Sequence, residues 1–367
     1  MKEEEYMDMA LALARRGLGT TSPNPMVGAV LVRGRQVIGK GYHKKAGQAH
    51  AEVEAINSVK EGSSGATMFV NLEPCSHWGK TPPCVQTIVK AGIRRVVIAM
   101  TDPNPQVNGK GVEALRKAGV EVRVGPREEE ARRLNEAFIT YMERQRPFFI
   151  AKAAVSLDGK IATRNLDSKW ISNEASRGHA SRLRSVVDGI MVGINTVISD
   201  NPFLIPKLAR PKRYPLRLIL DSRLRIPLTS EIVKTGEKYR TLIFTGDKAP
   251  QDKEAKLRSF GVDILRVACG DDGRLSLRHV SDELYKRQIV SVLVEGGGEI
   301  HGAFLTAGLV DKVILFVAPI IIGGKGALNF VGGKGIDFLK NAHRINIATV
   351  KRFKEDIYVE GYVHRNH

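Results

Sequence analysis

Two α/β domains are what the 367-residue sequence predicts, on three observations. Short apolar runs of strand length alternate with segments of helical period along most of the chain. One proline-bearing break, "RQRPF" at residues 144–148, separates two such series. The length exceeds what one core usually organises and suits two domains of roughly 150–200 residues each. The expected boundaries are 1–145 and 146–367, and 43% hydrophobic residues can fill both cores.

The first series is read as follows. Residues 3–16 form a helix with Met7, Leu11 and Ala14 on one face. "MVGAVLV" is a buried strand, and "QVIGKGYH" pairs with it across the turn at "RGR". "AHAEVEAINSVK" is a helix ended by Gly62. "ATMFVNL" and "RRVVIAM" are strands around the helix "PCVQTIVKAG". "GKGVEALRKAG" and "VEVRVG" repeat helix then strand, and one long charged helix covers about 127–143. In the second series "FFIAKAAVSLDGKIA" runs from a strand into a turn. "GIMVGI", "LRLILD", "RTLIFTG", "VDILRVA" and "IVSVLVE" are further strands of a largely parallel sheet, with "NEASRGHASRLRS" and "QDKEAKLRSFG" as helices between them.

Composition narrows the functional class. Three cysteines exclude a disulfide scaffold and point to a reducing cytoplasm. No run approaches the ~18 apolar residues of a membrane span. The start, "MKEEEYMDMALALARR", lacks the basic head and cleavage site of a signal peptide. Lys and Arg exceed Asp and Glu by 57 to 39, a net charge of +18. The excess is spread along the chain and no nucleic-acid motif stands out, so small phosphorylated ligands are favoured over nucleic acid.

The chemistry concentrates first at "HAE", residues 50–52, and at "LEPCSHWGKTPPC", residues 72–84. His50, Cys75 and Cys84 offer one imidazole and two thiolates to a tetrahedral zinc ion, leaving the fourth position for water, as in catalytic sites. Zinc lowers the pKa of such a water to about 7. Glu52 takes the place of the acid/base in the zinc deaminase pattern H-x-E…P-C-x-x-C. Eight residues between the cysteines, instead of two, are the departure. A four-ligand structural zinc site and an RNA-acting zinc deaminase with an accessory binding domain are the competing readings.

With "TSPNPMVGAVLV", "GYHKKAGQAHAEVEA" and "TDPNPQVNGKG", these stretches resemble the deaminase half of the bifunctional riboflavin-biosynthesis deaminase/reductase family, in which the long spacing is normal. The resemblance implies a cytidine-deaminase-like fold and zinc-dependent deamination of a diaminopyrimidine carrying a ribosylamino 5-phosphate. It implies that Asn24 and His43 contact the pyrimidine, and that Lys80, Asp102 and Asn104 serve the ribose-phosphate side. Ser76 or Thr81 adds a hydroxyl there, and His77 is expected to be a surface-loop residue.

The second concentration is "VSVLVEGGGEIHGAFL", residues 290–305, read as strand, glycine turn and helix. Together with "AVSLDGKIA", "SKWIS", "GINTVISDNP" and "LILDSRLRIP" it resembles the reductase half of the same family, over about residues 148–318. A dihydrofolate-reductase-like fold and NADPH-dependent reduction of the ribosyl group to ribityl are implied. Ala154, Trp170, Thr196, Asp200, Ser222 and Gly296, Gly297 and Gly298 are then expected to line the cofactor. Ser168, Arg184, Leu204, Lys207 and Glu295 are expected to face the substrate, and Lys152 and Glu295 to handle protons. Lys207 stands where the family usually has Arg and lacks the bidentate fork. Asp158 reads as a turn residue, Cys269 as a buried or incidental thiol and His301 as a helix-face residue. A cytoplasmic homo-oligomer is expected, without nucleic-acid or membrane partners.

Overall fold

The computed structural model describes residues 2–78, 82–105 and 107–363. The chain divides into two compact units between Arg146 and Pro147. The first contains, in order, α1 (Glu3–Ala14), β1 (Gly28–Arg33), β2 (Gln36–Tyr42), α2 (Ala51–Asn57), β3 (Thr67–Leu72), α3 (Cys84–Lys90), β4 (Arg95–Met100), α4 (Lys110–Lys117), β5 (Glu121–Val124), α5 (Glu128–Leu134) and α6 (Glu136–Arg144). Its sheet runs β2-β1-β3-β4-β5. β1 is antiparallel to both neighbours, while β3, β4 and β5 are parallel.

The period-two alternation of β1 divides the unit into layers. Ala29 and Leu31 pack with residues of α2, α3 and α4, such as Ala55, Ile88 and Leu115. Val30 and Val32 pack with Met7 and Leu11 of α1, Ala131 of α5 and Ile139 of α6. α2 lies directly on β2, where an added Cβ at Gly41 would meet the Ala51 carbonyl at 2.5 Å. The N-terminal ends of α2 and α3 therefore sit on one face, and these two ends carry His50 and Cys84.

One expectation fails here. The single helix over 127–143 is two, broken at Asn135. The buried Asn135 amide accepts from Met26 N at 2.8 Å and donates to Met26 O at 3.0 Å. A local charge pattern cannot reveal a side chain committed to a strand-entry backbone 109 residues away.

The second unit contains β6 (Phe148–Ser156), β7 (Lys160–Ala162), α7 (Glu174–Arg184), β8 (Gly189–Gly193), α8 (Ile194–Asp200), β9 (Leu216–Leu220), α9 (Glu231–Lys234), β10 (Thr241–Thr245), α10 (Gln251–Ser259) and β11 (Val262–Arg266). α11 (Leu277–Lys286), β12 (Ser291–Glu295), α12 (Gly298–Thr306), β13 (Val310–Ala318), β14 (Leu328–Asn329), β15 (Ile345–Phe353) and β16 (Asp356–Val363) complete it. The nine-stranded sheet has the order β11-β10-β9-β8-β12-β6-β13-β16-β15. β11 through β13 in that order are parallel, and β16 and β15 add antiparallel at the edge. Val292 and Val294 of β12 pack toward α11 and α12, and Leu293 toward the opposite layer with Val197 of α8 and Leu257 of α10. Ligands of such sheets bind beyond the carboxyl ends of the strands.

Candidate active sites

In the first unit His50 is the N-cap residue of α2, and Cys84 opens α3. Cys75 lies on the loop that leaves β3. His50 Nδ1, Cys75 Sγ and Cys84 Sγ all lie within 4.8 Å of one another. His50 Nδ1 is 3.1 Å from Cys84 Sγ and 3.6 Å from Cys75 Sγ. A tetrahedral ion with Zn–S of about 2.3 Å and Zn–N of about 2.0 Å sets its ligand atoms roughly 3.5–3.8 Å apart. The donor set and its spacing thus fit zinc. Among the described residues the cluster consists of these three groups.

Without a bound ion the two sulfurs share one proton. A hydrogen bond with the Cys84 thiol, against the opposing effect of burial, brings Cys75 down to about 4, while the same hydrogen bond and burial together push Cys84 up. The Cys84 backbone N–H also points at Cys75 Sγ, at 3.3 Å. Glu52 is buried at 3% exposure, and burial pushes its carboxyl up against the lowering effect of His50. A carboxyl whose pKa burial raises from its ordinary value is shifted in the direction that acid/base work near neutral pH needs.

Asn24 and His43 come together beside the metal ligands. His43 Nε2 lies 3.1 Å from Asn24 Nδ2, and Nδ1 lies 3.0 Å from Ala49 O. If Nδ1 carries the proton, donation to Ala49 leaves Nε2 to accept from the Asn24 amide. Burial lowers the His43 pKa and keeps the ring neutral. Its ring centroid is 5.5 Å from that of His50. Asp102 is partly buried, and burial pushes its carboxyl up to about 6 while Oδ1 accepts from Asn104 N at 2.9 Å. Ser76 is half-buried and His77 is exposed. Lys80 and Thr81 lie outside the described residues.

Glu73, which the sequence reading passed over, organises this loop. Its buried carboxylate accepts from four backbone N–H groups, those of Asp102, Gly109, Gly111 and Val112, at 2.8–3.0 Å. It thereby clamps the Asp102–Asn104 turn and the start of α4 against the chain two residues before Cys75. The contact is close: a Cβ at Gly111 would meet the Pro74 carbonyl at 2.1 Å. Glu73→Ala would leave several buried donors unpaired, at about 1–3 kcal/mol each. We expect a stability loss of about 3 kcal/mol or more in denaturant unfolding of the first unit. The only sequence signal was an acid beside the Pro-Cys pair.

In the second unit the ends of β6, β8, β9 and β12 open into a cleft of about 1290 Å3. Ala154, Trp170, Thr196, Asp200 and Ser222 line it, as do Gly296, Gly297 and Gly298. Ser168, Leu204 and Lys207 line it too, with Lys152, Arg184 and Glu295. Leu204 is also part of the core. Lys207 is fixed through its backbone N–H, which donates to Ser181 Oγ at 2.6 Å. At Gly297, the uncapped N-cap of α12, an added Cβ would meet nothing within 4 Å. Free N–H groups and absent side chains suit the approach of a phosphate. A dinucleotide cofactor fits a cleft of this size and lining.

At the floor of the cleft, parallel register sets Lys152 of β6 beside Glu295 of β12. Lys152 Nζ is 3.3 Å from Glu295 Oε1. Arg184 donates to Glu295 from Nε at 3.1 Å and from Nη2 at 2.5 Å. Burial acts to raise the Glu295 carboxyl, but Arg184 and Lys152 outweigh it and hold it at about 2. Burial lowers the Lys152 pKa against the opposing pull of Glu295.

Several simpler readings give way. Trp170 is 65% exposed, with the Arg177 guanidinium 4.7 Å from its ring centroid. Of the two readings of Cys269, burial gives way, because the thiol is exposed. His301 is fully buried, and neither ring nitrogen has a hydrogen-bond partner among the described residues. Burial brings it down to about 4, so the ring is a neutral filler against Phe330. Asp158 does more than turn the chain, because its carboxylate holds Ile322 N and Gly323 N.

Comparison with known proteins follows this division of labour. Residues 1–100 match the cytidine and deoxycytidylate deaminase zinc-binding region, and residues 147–359 the RibD C-terminal domain. The riboflavin biosynthesis protein RibD of Bacillus amyloliquefaciens is 42% identical over 355 residues, 97% of this chain and 95% of that one. That of Aquifex aeolicus is 42% identical, with 97% of each chain covered. A solved RibD of Acinetobacter baumannii is 36% identical with a TM-score of 0.88, over 99% of both chains. A diaminohydroxyphosphoribosylaminopyrimidine deaminase/5-amino-6-(5-phosphoribosylamino)uracil reductase of Thermotoga maritima is 38% identical with a TM-score of 0.85, also over 99% of both. The two domains have the cytidine-deaminase-like and dihydrofolate-reductase-like folds, and the reading of an RNA-acting deaminase with an accessory module finds no support. With a zinc-type donor set in one unit and a dinucleotide-sized cleft in the other, the chain belongs to the RibD family of riboflavin biosynthesis proteins.

Proposed function

We propose that His50, Cys75 and Cys84 hold the zinc and that Glu52 moves the proton in the first of two reactions this chain performs. The chain is a bifunctional deaminase and reductase of riboflavin biosynthesis, using zinc and NADPH. Its substrate on this reading is a diaminopyrimidinone bearing a 5-phosphoribosylamino group, the compound named for the Thermotoga maritima relative. Zinc, when bound, supplies the Lewis acidity that makes water a nucleophile near neutral pH. As a carboxylate, Glu52 would take one proton from the attacking water and pass it to the ring nitrogen as the C–O bond forms, then carry the second proton, from the new hydroxyl, to the amino group so that ammonia leaves as the C–N bond breaks. Asn24 and His43 orient the pyrimidine, and Lys80, Asp102 and Asn104 hold the ribose-phosphate side. The observation that carries the reading is the convergence of His50 Nδ1, Cys75 Sγ and Cys84 Sγ within 4.8 Å beside a buried glutamate.

In the cleft NADPH supplies the hydride that reduces the sugar at C1′. Ala154, Trp170, Thr196, Asp200, Ser222 and the Gly296–Gly298 turn hold the cofactor. Ser168, Leu204 and Lys207 face the sugar phosphate. Lys152 handles the proton at the opening sugar, and Glu295, fixed by Arg184, holds Lys152 in place. Chelation of the full-length enzyme is expected to abolish ammonia release and to spare NADPH oxidation with the deaminated substrate. Deamination that persists in metal-free protein would remove the zinc assignment.

We also infer a homo-oligomer in the cytoplasm. β15 is an edge strand whose Ile347 and Val350 are 58% and 61% exposed, and such edges template pairing with another chain. Among the described residues no helix is long and apolar enough to cross a membrane.

A further inference from the structure

Beside Lys207, assigned above to the sugar phosphate, several cations that line the reductase cleft are already committed. Lys152 and Arg184 both serve Glu295, Arg177 lies over Trp170, and Arg274 pairs with Glu299. Yet the reaction proposed above brings two phosphorylated ligands into this cleft. Lys325 also lines it, and among the described residues nothing pairs with this side chain. It follows Gly323 and Gly324, whose φ values of +66° and +80° only glycine adopts readily.

The segment that carries Lys325 is tied down on two sides. Toward β6, Leu157 N donates to Ile320 O at 2.7 Å, and Phe330 N donates to Gly159 O at 3.1 Å. Lys160 Nζ reaches Asn329 Oδ1 at 2.6 Å. Toward α12, Gly332 N donates to Gly298 O at 2.9 Å, and a Cβ at Gly298 would strike Asn329 O at 2.3 Å. Asp158 makes the fastening nearest to Lys325. Its Oδ2 accepts from Gly323 N at 2.8 Å, and its Oδ1 from Ile322 N at 3.1 Å and Ser156 Oγ at 2.6 Å.

We propose that Asp158 latches the Gly323–Gly324 loop against the turn after β6 and so holds Lys325 in the cleft as a phosphate-binding residue of the reductase. The inference rests on the reductase reading above. The phosphate belongs either to the cofactor or to the sugar, and the two give different signatures. The test uses full-length enzyme with Lys325→Gln, Lys325→Arg, Asp158→Ala and the double variant Lys325→Gln/Asp158→Ala. NADPH affinity is read by fluorescence titration without substrate, and KM for the deaminated sugar phosphate at saturating NADPH.

Loss of one charge-assisted phosphate contact is expected to weaken one of these constants about tenfold in Lys325→Gln. Lys325→Arg is expected to restore most of it, which a merely structural role would not require. A rise in the NADPH dissociation constant assigns the cofactor's phosphate. A rise in substrate KM with NADPH binding unchanged assigns the sugar's. Asp158→Ala is expected to move the same constant, and the double variant to be no weaker than the weaker single one. Wild-type values for both constants in Lys325→Gln, or strictly additive effects of the two changes, would overturn the proposal while leaving the reductase reading intact. A wild-type enzyme that does not oxidise NADPH would remove that reading and the proposal with it.

Discussion

Glu52→Gln is expected to cut ammonia release by about a thousandfold, within the 10²–10⁴ range for loss of a positioned acid/base group. The change keeps the volume and removes the titratable oxygen. Glu52 is not one of the three clustered ligand atoms, so zinc content measured on the purified variant should match wild type. NADPH oxidation with the deaminated substrate should continue, because that chemistry belongs to the second unit. The size of the effect follows from burial. At 3% exposure no bulk water substitutes for the missing proton carrier, and a neutral amide neither accepts nor returns the proton. Glu52→Asp makes a second arm: it retains the acid but draws it back by one methylene, so an intermediate loss is expected. Deamination by Glu52→Gln within tenfold of wild type would show that the proton travels through another group.

Much of this site was legible because its residues carry chemistry in short local patterns. His50 and Glu52 lie two apart at a helix start, and Cys75 follows a proline. Cys84 opens the next helix, so its place in the chain order helix start, loop, helix start could be read despite the long spacing. Glu73 was missed because its role exists only through backbone N–H groups 29 to 39 residues away, which no side-chain pattern encodes. Asn135 and Asp158 escaped for the same reason. Each is a short polar side chain whose partner is the backbone of a distant loop. The parallel strands of the second unit announced themselves as continuous apolar runs, since both faces are covered. β15 did not: most of its side chains are exposed, and "HRINIATVKRFK" reads as charge rather than as a strand. His301 was read as a helix-face residue and does lie in α12, but its full burial, with no hydrogen-bond partner among the described residues, was not legible in the sequence.

Lys152→Met is expected to lower NADPH-dependent reduction by about a hundredfold or more while Glu295 keeps its bidentate contact with Arg184. On the function proposed above, two residues that the sequence paired as proton handlers take different roles. A carboxyl held at about 2 is ionised throughout the working range and cannot donate, whereas an ammonium whose pKa burial has lowered can. Donation requires the protonated amine, so reduction should fall as pH rises through the lowered Lys152 pKa. Glu295→Gln tests the division from the other side. It leaves Lys152 and Arg184 buried together without a counter-charge, at about 3–5 kcal/mol of stability. It also removes the influence that raises the Lys152 pKa, so the alkaline limb of the kcat/KM profile for reduction should move to lower pH. Lys152→Met gives no such displaced limb, because the titrating group is gone. If Glu295→Gln keeps the wild-type alkaline limb, the proton comes from a group other than Lys152.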